Sequence, residues 1–257
     1  MEWSYTQLFI ICPLIFIGGV IDAIGGGGGL ITLPAFMIAG FPVHYAIGTN
    51  KVSSVMGTSI AFSRFIRNGY VDLKLSVMGI ICAIAGSSLG ARAALLISDH
   101  AFKILMLVIL PVTAYYVFIS QNLLKEEREL HDSRITLRTY IICMLVAFFL
   151  GFYDGFYGPG AGTFMLLLMA GAAGLSVQKA NGAAKAINFA TNLAAVVVYF
   201  MNGKVIWQMG VIAGIFSIMG NYIGARFFEK GGAKAVRPVI LIVLALFFMR
   251  VIYDLML

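Results

Sequence analysis

Long apolar runs, separated by short polar breaks, fill most of the chain. Most of them approach the roughly 20 residues that an α-helix needs to cross a bilayer. The runs lie at about 8–24, 28–40, 43–65, 73–98, 101–121, 137–156, 161–173, 178–201, 205–227 and 236–255. This pattern predicts an all-α polytopic membrane protein.

One strongly charged segment, residues 125–134, interrupts these runs. It is too polar to enter a bilayer and is typical of a linker between two halves. The sequence therefore predicts a first membrane repeat over residues 1–123, a linker over 124–136 and a second membrane repeat over 137–257.

The two halves resemble each other in sequence. A shift of 134 positions places Ala46–Arg92 on Ala180–Arg226 without a gap, and a shift of 133 places the glycines at 18, 25, 27 and 29 on those at 151, 158, 160 and 162. Internal repeats of this size recur in secondary transporters, so the pattern indicates a duplication.

The runs at 28–40 and 161–173 are too short to cross a bilayer of about 30 Å at 1.5 Å per residue. If each returns the chain as a broken helix or hairpin, the loop lysines and arginines concentrate on one side. If the short runs are left out of the count of membrane crossings, the loop lysines and arginines divide almost evenly between the two sides. Because positive charge marks the cytoplasmic side, the first arrangement is favoured, and it predicts inverted repeats with both termini outside.

Composition supports the membrane class. Of the 257 residues, 61% are hydrophobic and 11% charged, whereas soluble domains carry about 25% charged residues. The net charge of +7 comes mainly from residues between apolar runs, where lysine and arginine set orientation. It therefore gives no reason to expect nucleic acid as a partner.

A glycine-rich break occurs once in each half. Consecutive glycines weaken a helix, and Pro159 removes a backbone donor. Unwound backbone in a bilayer is tolerated where protein or a water-filled cavity surrounds it, and free N–H groups at a helix start attract anions. We expect substrate contacts at Gly25, Gly26, Gly27, Gly28, Gly29, Gly158, Gly160 and Gly162. Close helix packing through small residues is the structural alternative.

A polar helix face also occurs once in each half. A lysine deep in an apolar segment costs at least about 2.5 kcal/mol unless it has a partner or a cavity. Two lysines at equivalent positions favour one shared central anion site, although snorkelling and structural ion pairs stay open. The substrate-binding residues predicted here are Asn50, Lys51, Ser54, Thr58, Lys185, Asn188 and Asn192.

Two acidic residues, Asp22 and Asp154, lie just before the two breaks. Their equivalence is approximate in the alignment, which offsets them by one position. Proton coupling, charge balance for the lysines, and fixed salt bridges to Lys51 or Lys185 are all compatible with this placement.

These motifs resemble the sulfite exporter TauE/SafE family of membrane permeases, of the toluene sulfonate uptake type. The resemblance covers nearly the whole chain and is carried by segments 19–35, 48–51, 151–162, 185–192, 203–207 and 224–226. It implies transport of small sulfur-containing anions, such as sulfite or organosulfonates, with the glycine-rich segments near the substrate. Position 22 departs from the family pattern, because many members carry glycine where this chain has Asp22.

The sequence thus predicts a secondary transporter of a small anion, working by alternating access at the repeat interface of a bacterial inner-membrane protein. An anion channel and a non-transporting membrane scaffold are the alternatives. No nucleophile–base pair or metal spacing such as HExxH is visible, so an enzyme, a cofactor and a metal are not expected. The predicted partners are the anion and the lipid bilayer, with proton coupling and a homodimer left open.

Overall fold

The computed structural model describes residues 4–120 and 136–229, and every regular element in these ranges is an α-helix. The predicted linker, apart from Thr136, and the last apolar run lie outside the described residues. In chain order the helices are α1 (Tyr5–Gly25), α2 (Gly29–Ile38), α3 (Val43–Arg67), α4 (Leu73–Leu95), α5 (Asp99–Ser120), α6 (Leu137–Phe156), α7 (Ala161–Gly171), α8 (Val177–Met201) and α9 (Trp207–Glu229).

Five of these helices, α1, α4, α6, α8 and α9, are long and apolar enough to cross a membrane. Large apolar side chains point away from the protein along their outer faces, among them Phe9, Ile81 and Phe149. Such a surface needs lipid rather than water around it. The described part of the chain therefore has the architecture of a multi-pass membrane protein, as the sequence predicted.

The short helix α2 folds back along α1. Gly18 of α1 lies against Ile31 of α2, and the Gln7 side-chain amide near the start of α1 donates to the carbonyl of Ala39 just after α2, at 2.8 Å. The first two helices thus form a hairpin whose turn consists of residues 26–28.

The second half repeats this hairpin with α6 and α7. The Thr139 hydroxyl at the start of α6 donates to the carbonyl of Ala173 beyond α7, at 3.3 Å. At the turn, the Tyr153 hydroxyl donates to the carbonyl of Pro159, at 2.7 Å, and holds the break against α6.

Helix α9 packs on α1 through glycines. A Cβ atom at Gly220 would overlap the carbonyl oxygen of Phe16, and one at Gly224 would overlap that of Val20. Because both contacts advance by four residues together, α1 and α9 run in the same direction.

Helix α4 packs on α6 in the same way. A Cβ atom at Gly86 would overlap the carbonyl oxygen of Phe148, and one at Gly90 would overlap that of Phe152. Gly86 and Gly90 are the positions aligned with Gly220 and Gly224. Each half therefore places its hairpin against a helix of the other half.

These contacts also define the register of the hairpins. Phe16 matches Phe148 and Val20 matches Phe152, a shift of 132 rather than the 133 expected from the glycine spacing. In this register Asp22 and Asp154 are equivalent. The offset of one residue in the sequence alignment was wrong, because helix packing, and not the number of glycines in the turn, sets the register.

The two central helices, α3 and α8, run in opposite directions. Gly48 lies against Tyr199, whereas Phe62 stacks on Phe189 with ring centroids 5.9 Å apart. In the contacts between α3 and α9, and in those between α4 and α8, residue numbers increase along both helices together, so the helices of each pair are parallel. Helices α1, α3 and α9 thus share one direction, and α4, α6 and α8 share the other.

Candidate functional site

Two buried ion pairs lie next to the two helix breaks. The Lys51 ammonium is 2.8 Å from Oδ1 of Asp154, with the two side chains 3% and 4% exposed. The Lys185 ammonium is 2.9 Å from Oδ2 of Asp22, with the side chains 1% and 15% exposed. Each lysine therefore has the partner that a charge buried among helices requires.

Each ion pair joins a lysine of one half to an aspartate of the other half. Lys51 on α3 reaches the hairpin of the second half, and Lys185 on α8 reaches the hairpin of the first half. The sequence predicted one shared anion site for both lysines, whereas the structure places them in two separate pairs. This pairing between the halves follows from the packing of each hairpin against helices of the other half.

Glycine at the breaks serves two purposes, which the first break illustrates. Gly26 has a φ of +77°, a left-handed conformation that ends α1, and its N–H donates to the carbonyl of Asp22 at 2.8 Å. A Cβ atom there would overlap Gly162 of the other hairpin. The two turns therefore touch, and the Thr163 hydroxyl joins them by donating to the carbonyl of Gly25 at 2.6 Å.

The second break fits around its ion pair. Gly158 and Gly160 have φ values of +100° and +82°. A Cβ atom at Gly158 would lie 3.1 Å from the Lys51 ammonium and 3.2 Å from Oδ1 of Asp154. Glycine at 158 thus lets the backbone approach the ion pair closely.

A small polar cavity of about 30 Å³ opens beside Asp22. A water molecule needs roughly 10–15 Å³ by this measure, so the cavity holds about two. Its walls come from α1, α2, α3, α8, α9 and the first break, through Gly18, Gly19, Asp22, Gly28, Gly29, Thr32, Ser54, Thr58, Asn188, Ser217 and Asn221.

The structure brings part of the predicted site to this cavity: Asp22, Gly28, Gly29, Ser54, Thr58 and Asn188. Lys185 bonds to Asp22, which is on the cavity wall. Gly25 and Gly26 instead contact the other hairpin, and Gly162 contacts Gly26.

The remaining predicted residues lie elsewhere in the site region. Lys51 and Gly158 belong to the second ion pair, and Asn192 donates to Asn188 within α8. Gly27 and Gly160 are turn residues of the two breaks, and the buried amide oxygen of Asn50 has no hydrogen-bond partner in the described part of the chain.

The expectation of free N–H groups at the start of α2 was wrong in part. The N–H of Leu30 donates to the carbonyl of Gly27, and those of Ile31 and Thr32 donate to the carbonyl of Gly28. The chain turns tightly enough to satisfy these donors itself, and Gly25 and Gly29 belong to helices rather than to unwound backbone.

Sequence reasoning missed Thr32, Ser217 and Asn221, which line the cavity, and Thr191, which bonds to Asp154. A usable signal existed for Ser217 and Asn221. They are polar residues four positions apart in an apolar segment, so they share one helix face.

Comparison with known proteins agrees with this architecture. The family model described as sulfite exporter TauE/SafE matches residues 11–251. The chain is 34% identical to the probable membrane transporter protein ORF9 of Sinorhizobium over 98% of this chain and 95% of that protein. It is 35% identical to a probable membrane transporter protein of Haemophilus influenzae over 99% and 98% of the two chains.

A third relative is the probable membrane transporter protein YfcA of Escherichia coli K12, which is 30% identical over 98% of this chain and 94% of that protein. No solved structure matches the chain.

Proposed function

We propose, given that this chain belongs to the sulfite exporter TauE/SafE family of membrane transporters, that it carries a small anion across the membrane. The proposed substrate is a sulfur-containing oxyanion or an organosulfonate. It would bind between the two halves and be exposed alternately to each side. The observation that carries the proposal is the pair of buried lysines, each held by an aspartate at a helix break.

Charge balance makes the aspartates part of the proposed mechanism. Each ammonium is neutralised by a carboxylate in the described structure, so neither attracts an anion strongly. If a cation neutralises the aspartate, the lysine becomes a free positive charge in a region of low dielectric. Uptake of a proton is the simplest such event, and anion binding would then be linked to it.

The proposed substrate is larger than the cavity, so the two halves must move to admit it. The cavity holds about two water molecules, whereas a sulfite ion alone has four non-hydrogen atoms. The described structure therefore corresponds to a closed state in this proposal, and the hairpins would separate to admit the substrate.

Helix directions support the proposed topology. Equivalent helices of the two halves, such as α3 and α8, run oppositely, which two copies inserted in opposite orientations require. Inverted repeats of this kind place their substrate near the middle of the membrane at the repeat interface. We therefore retain inverted repeats with both termini outside as the proposed arrangement.

The test is thermal stabilisation of the purified protein by sulfite, sulfate, thiosulfate, sulfonates and carboxylates. A ligand at 100 times its dissociation constant adds about 2.7 kcal/mol. We expect a selective shift that disappears in Lys51→Ala and in Lys185→Ala. The exposed Arg67, at the far end of α3, provides a charge-matched control as Arg67→Ala.

Transport follows in proteoliposomes with the anion that stabilises best. Unchanged uptake in both lysine variants would overturn the proposed site. Flux that responds only to voltage, and is unaffected by Asp22→Asn and Asp154→Asn, would identify an anion channel instead.

A further inference from the structure

We infer that the cavity beside Asp22 is a binding site for one desolvated monovalent cation of sodium size. The role of this cation in coupling rests on the proposed function, whereas its binding does not. The inference starts from the residues that line the cavity, several of which carry oxygen acceptors.

Two residues on the cavity wall each have a buried oxygen with no hydrogen-bond partner in the part of the chain that the structure describes. These oxygens are Oγ1 of Thr32 and Oδ1 of Asn221, in residues 7% and 1% exposed. The amide nitrogen of Asn221 already donates to the carbonyl of Ser217, at 3.0 Å, so the unpartnered atom of this amide is its oxygen. Buried polar atoms without partners are rare, and a bound water or ion is one of the ordinary explanations for two of them on one cavity wall.

Two further oxygens on the cavity wall are acceptors. The Thr58 hydroxyl uses its proton in a 2.7 Å bond to the carbonyl of Ser54, so only lone pairs remain. Asp22 bonds to Lys185 through Oδ2, and its 15% exposed side chain borders the cavity. The wall thus offers a carboxylate, an amide oxygen and two hydroxyl oxygens.

This set of ligands fits a hard cation, because carboxylate, amide and hydroxyl oxygens bind such ions. The size fits as well, since a space for about two water molecules admits a sodium ion but excludes a sulfonate. Asp22 supplies one negative charge, for which a monovalent cation would compete with Lys185.

The only other charged group at this site among the described residues is the ammonium of Lys185, which also bonds to the carbonyl of Asp22. A cation on Asp22 would repel this ammonium and compete for the same carboxylate. Lys185 would then be released toward the substrate anion. Cation and anion would therefore strengthen each other's binding, by the same factor in both directions.

Among the described residues, the second half lacks these ligands. By the alignment of the glycines and the reciprocal contacts Gly26–Gly162 and Gly29–Pro159, the positions equivalent to Thr32 and Asn221 are Met165 and Ser87. The Ser87 hydroxyl donates to the carbonyl of Thr191 at 2.6 Å. The inference therefore concerns one cation site in the described part of each chain, beside Asp22.

The experiment measures thermal stability of the purified full chain, without any anionic substrate, in NaCl, KCl and choline chloride at equal ionic strength. We expect saturable stabilisation by sodium that the other two cations do not reproduce. In Thr32→Val and Asn221→Ala the sodium concentration for half-maximal effect should rise at least about tenfold. Ser87→Ala, which shortens the side chain at the position equivalent to Asn221 in the other half, should respond as the wild type does.

Equal stabilisation by the three salts, or an unchanged sodium response in both cavity variants, would overturn the site and leave a water-filled cavity. If the variants do not fold, equilibrium binding of radioactive sodium to the wild-type protein decides, with one ion per chain expected and none contradicting the site.

Failure of the proposed function is a separate result. In that case sodium binds as described, but no anion stabilises the protein and no anion is transported.

Discussion

The ion pair at Asp22 and the ion pair at Asp154 use the same residue types at equivalent positions, yet their surroundings differ. Asp154 is closed in, with Oδ1 on Lys51 and Oδ2 accepting from the Thr191 hydroxyl. Asp22 bonds through one side-chain oxygen and borders a polar cavity.

One substitution between the halves accounts for much of this difference. Position 191 is threonine, while the equivalent position in the first half is Gly57, which packs against Ser217 and Asn221. Glycine at 57 has no hydroxyl to offer Asp22. A repeated backbone can thus hold one rigid ion pair and one accessible pair. We infer from this difference that the pair at Asp22 responds to ligands more readily than the pair at Asp154 does.

The largest expected effect comes from removing the lysines one at a time. Lys51→Ala leaves Asp154 buried without its countercharge, and breaking such a pair costs about 3–5 kcal/mol. Lys185→Ala should cost less than half as much, because Asp22 can be hydrated from the cavity. Thermal unfolding of the two purified variants measures this difference, and equal losses would show that the pairs are energetically equivalent.

The next effect tests whether the helix contacts are the same in both halves. Gly86→Ala and Gly220→Ala each drive a methyl group into a backbone carbonyl that cannot move aside. We expect each to destabilise the protein by about 3 kcal/mol, near the upper end of the usual cost of overpacking. Gly171→Ala, where no atom lies within 4 Å, is the control. A large loss in only one of the two variants would contradict the reciprocal packing.

The smallest effect isolates the hydroxyl that closes in Asp154. Thr191→Val removes this donor at nearly constant volume and should cost about 1.5 kcal/mol, as for a hydrogen bond to a charged group. It should also make the Asp154 pair more like the Asp22 pair. In the double variant Lys51→Ala, Thr191→Val, the two losses should therefore not add. Additive losses in the melting data would mean that Thr191 and Lys51 act independently.

Local sequence patterns predicted much of the fold because their causes are local. Apolar runs of fixed length indicated spanning helices. Glycine with proline indicated breaks at residues 25–29 and 158–162, and the structure has them at 26–28 and 157–160. The spacing of Lys51, Ser54 and Thr58 correctly placed them on one helix face, and two of them line the cavity.

The sequence by itself determined that this is a helical membrane protein with two similar halves, two broken helices and a lysine at an equivalent depth in each. Only the tertiary structure decided that each lysine pairs with the aspartate of the other half, and that Asn221 and Thr32 join Asp22 at one cavity. The reason is physical. Helix formation and membrane insertion depend on neighbours along the chain. The two ion pairs instead join residues more than 100 positions apart, and they depend on how glycine-lined helices pack.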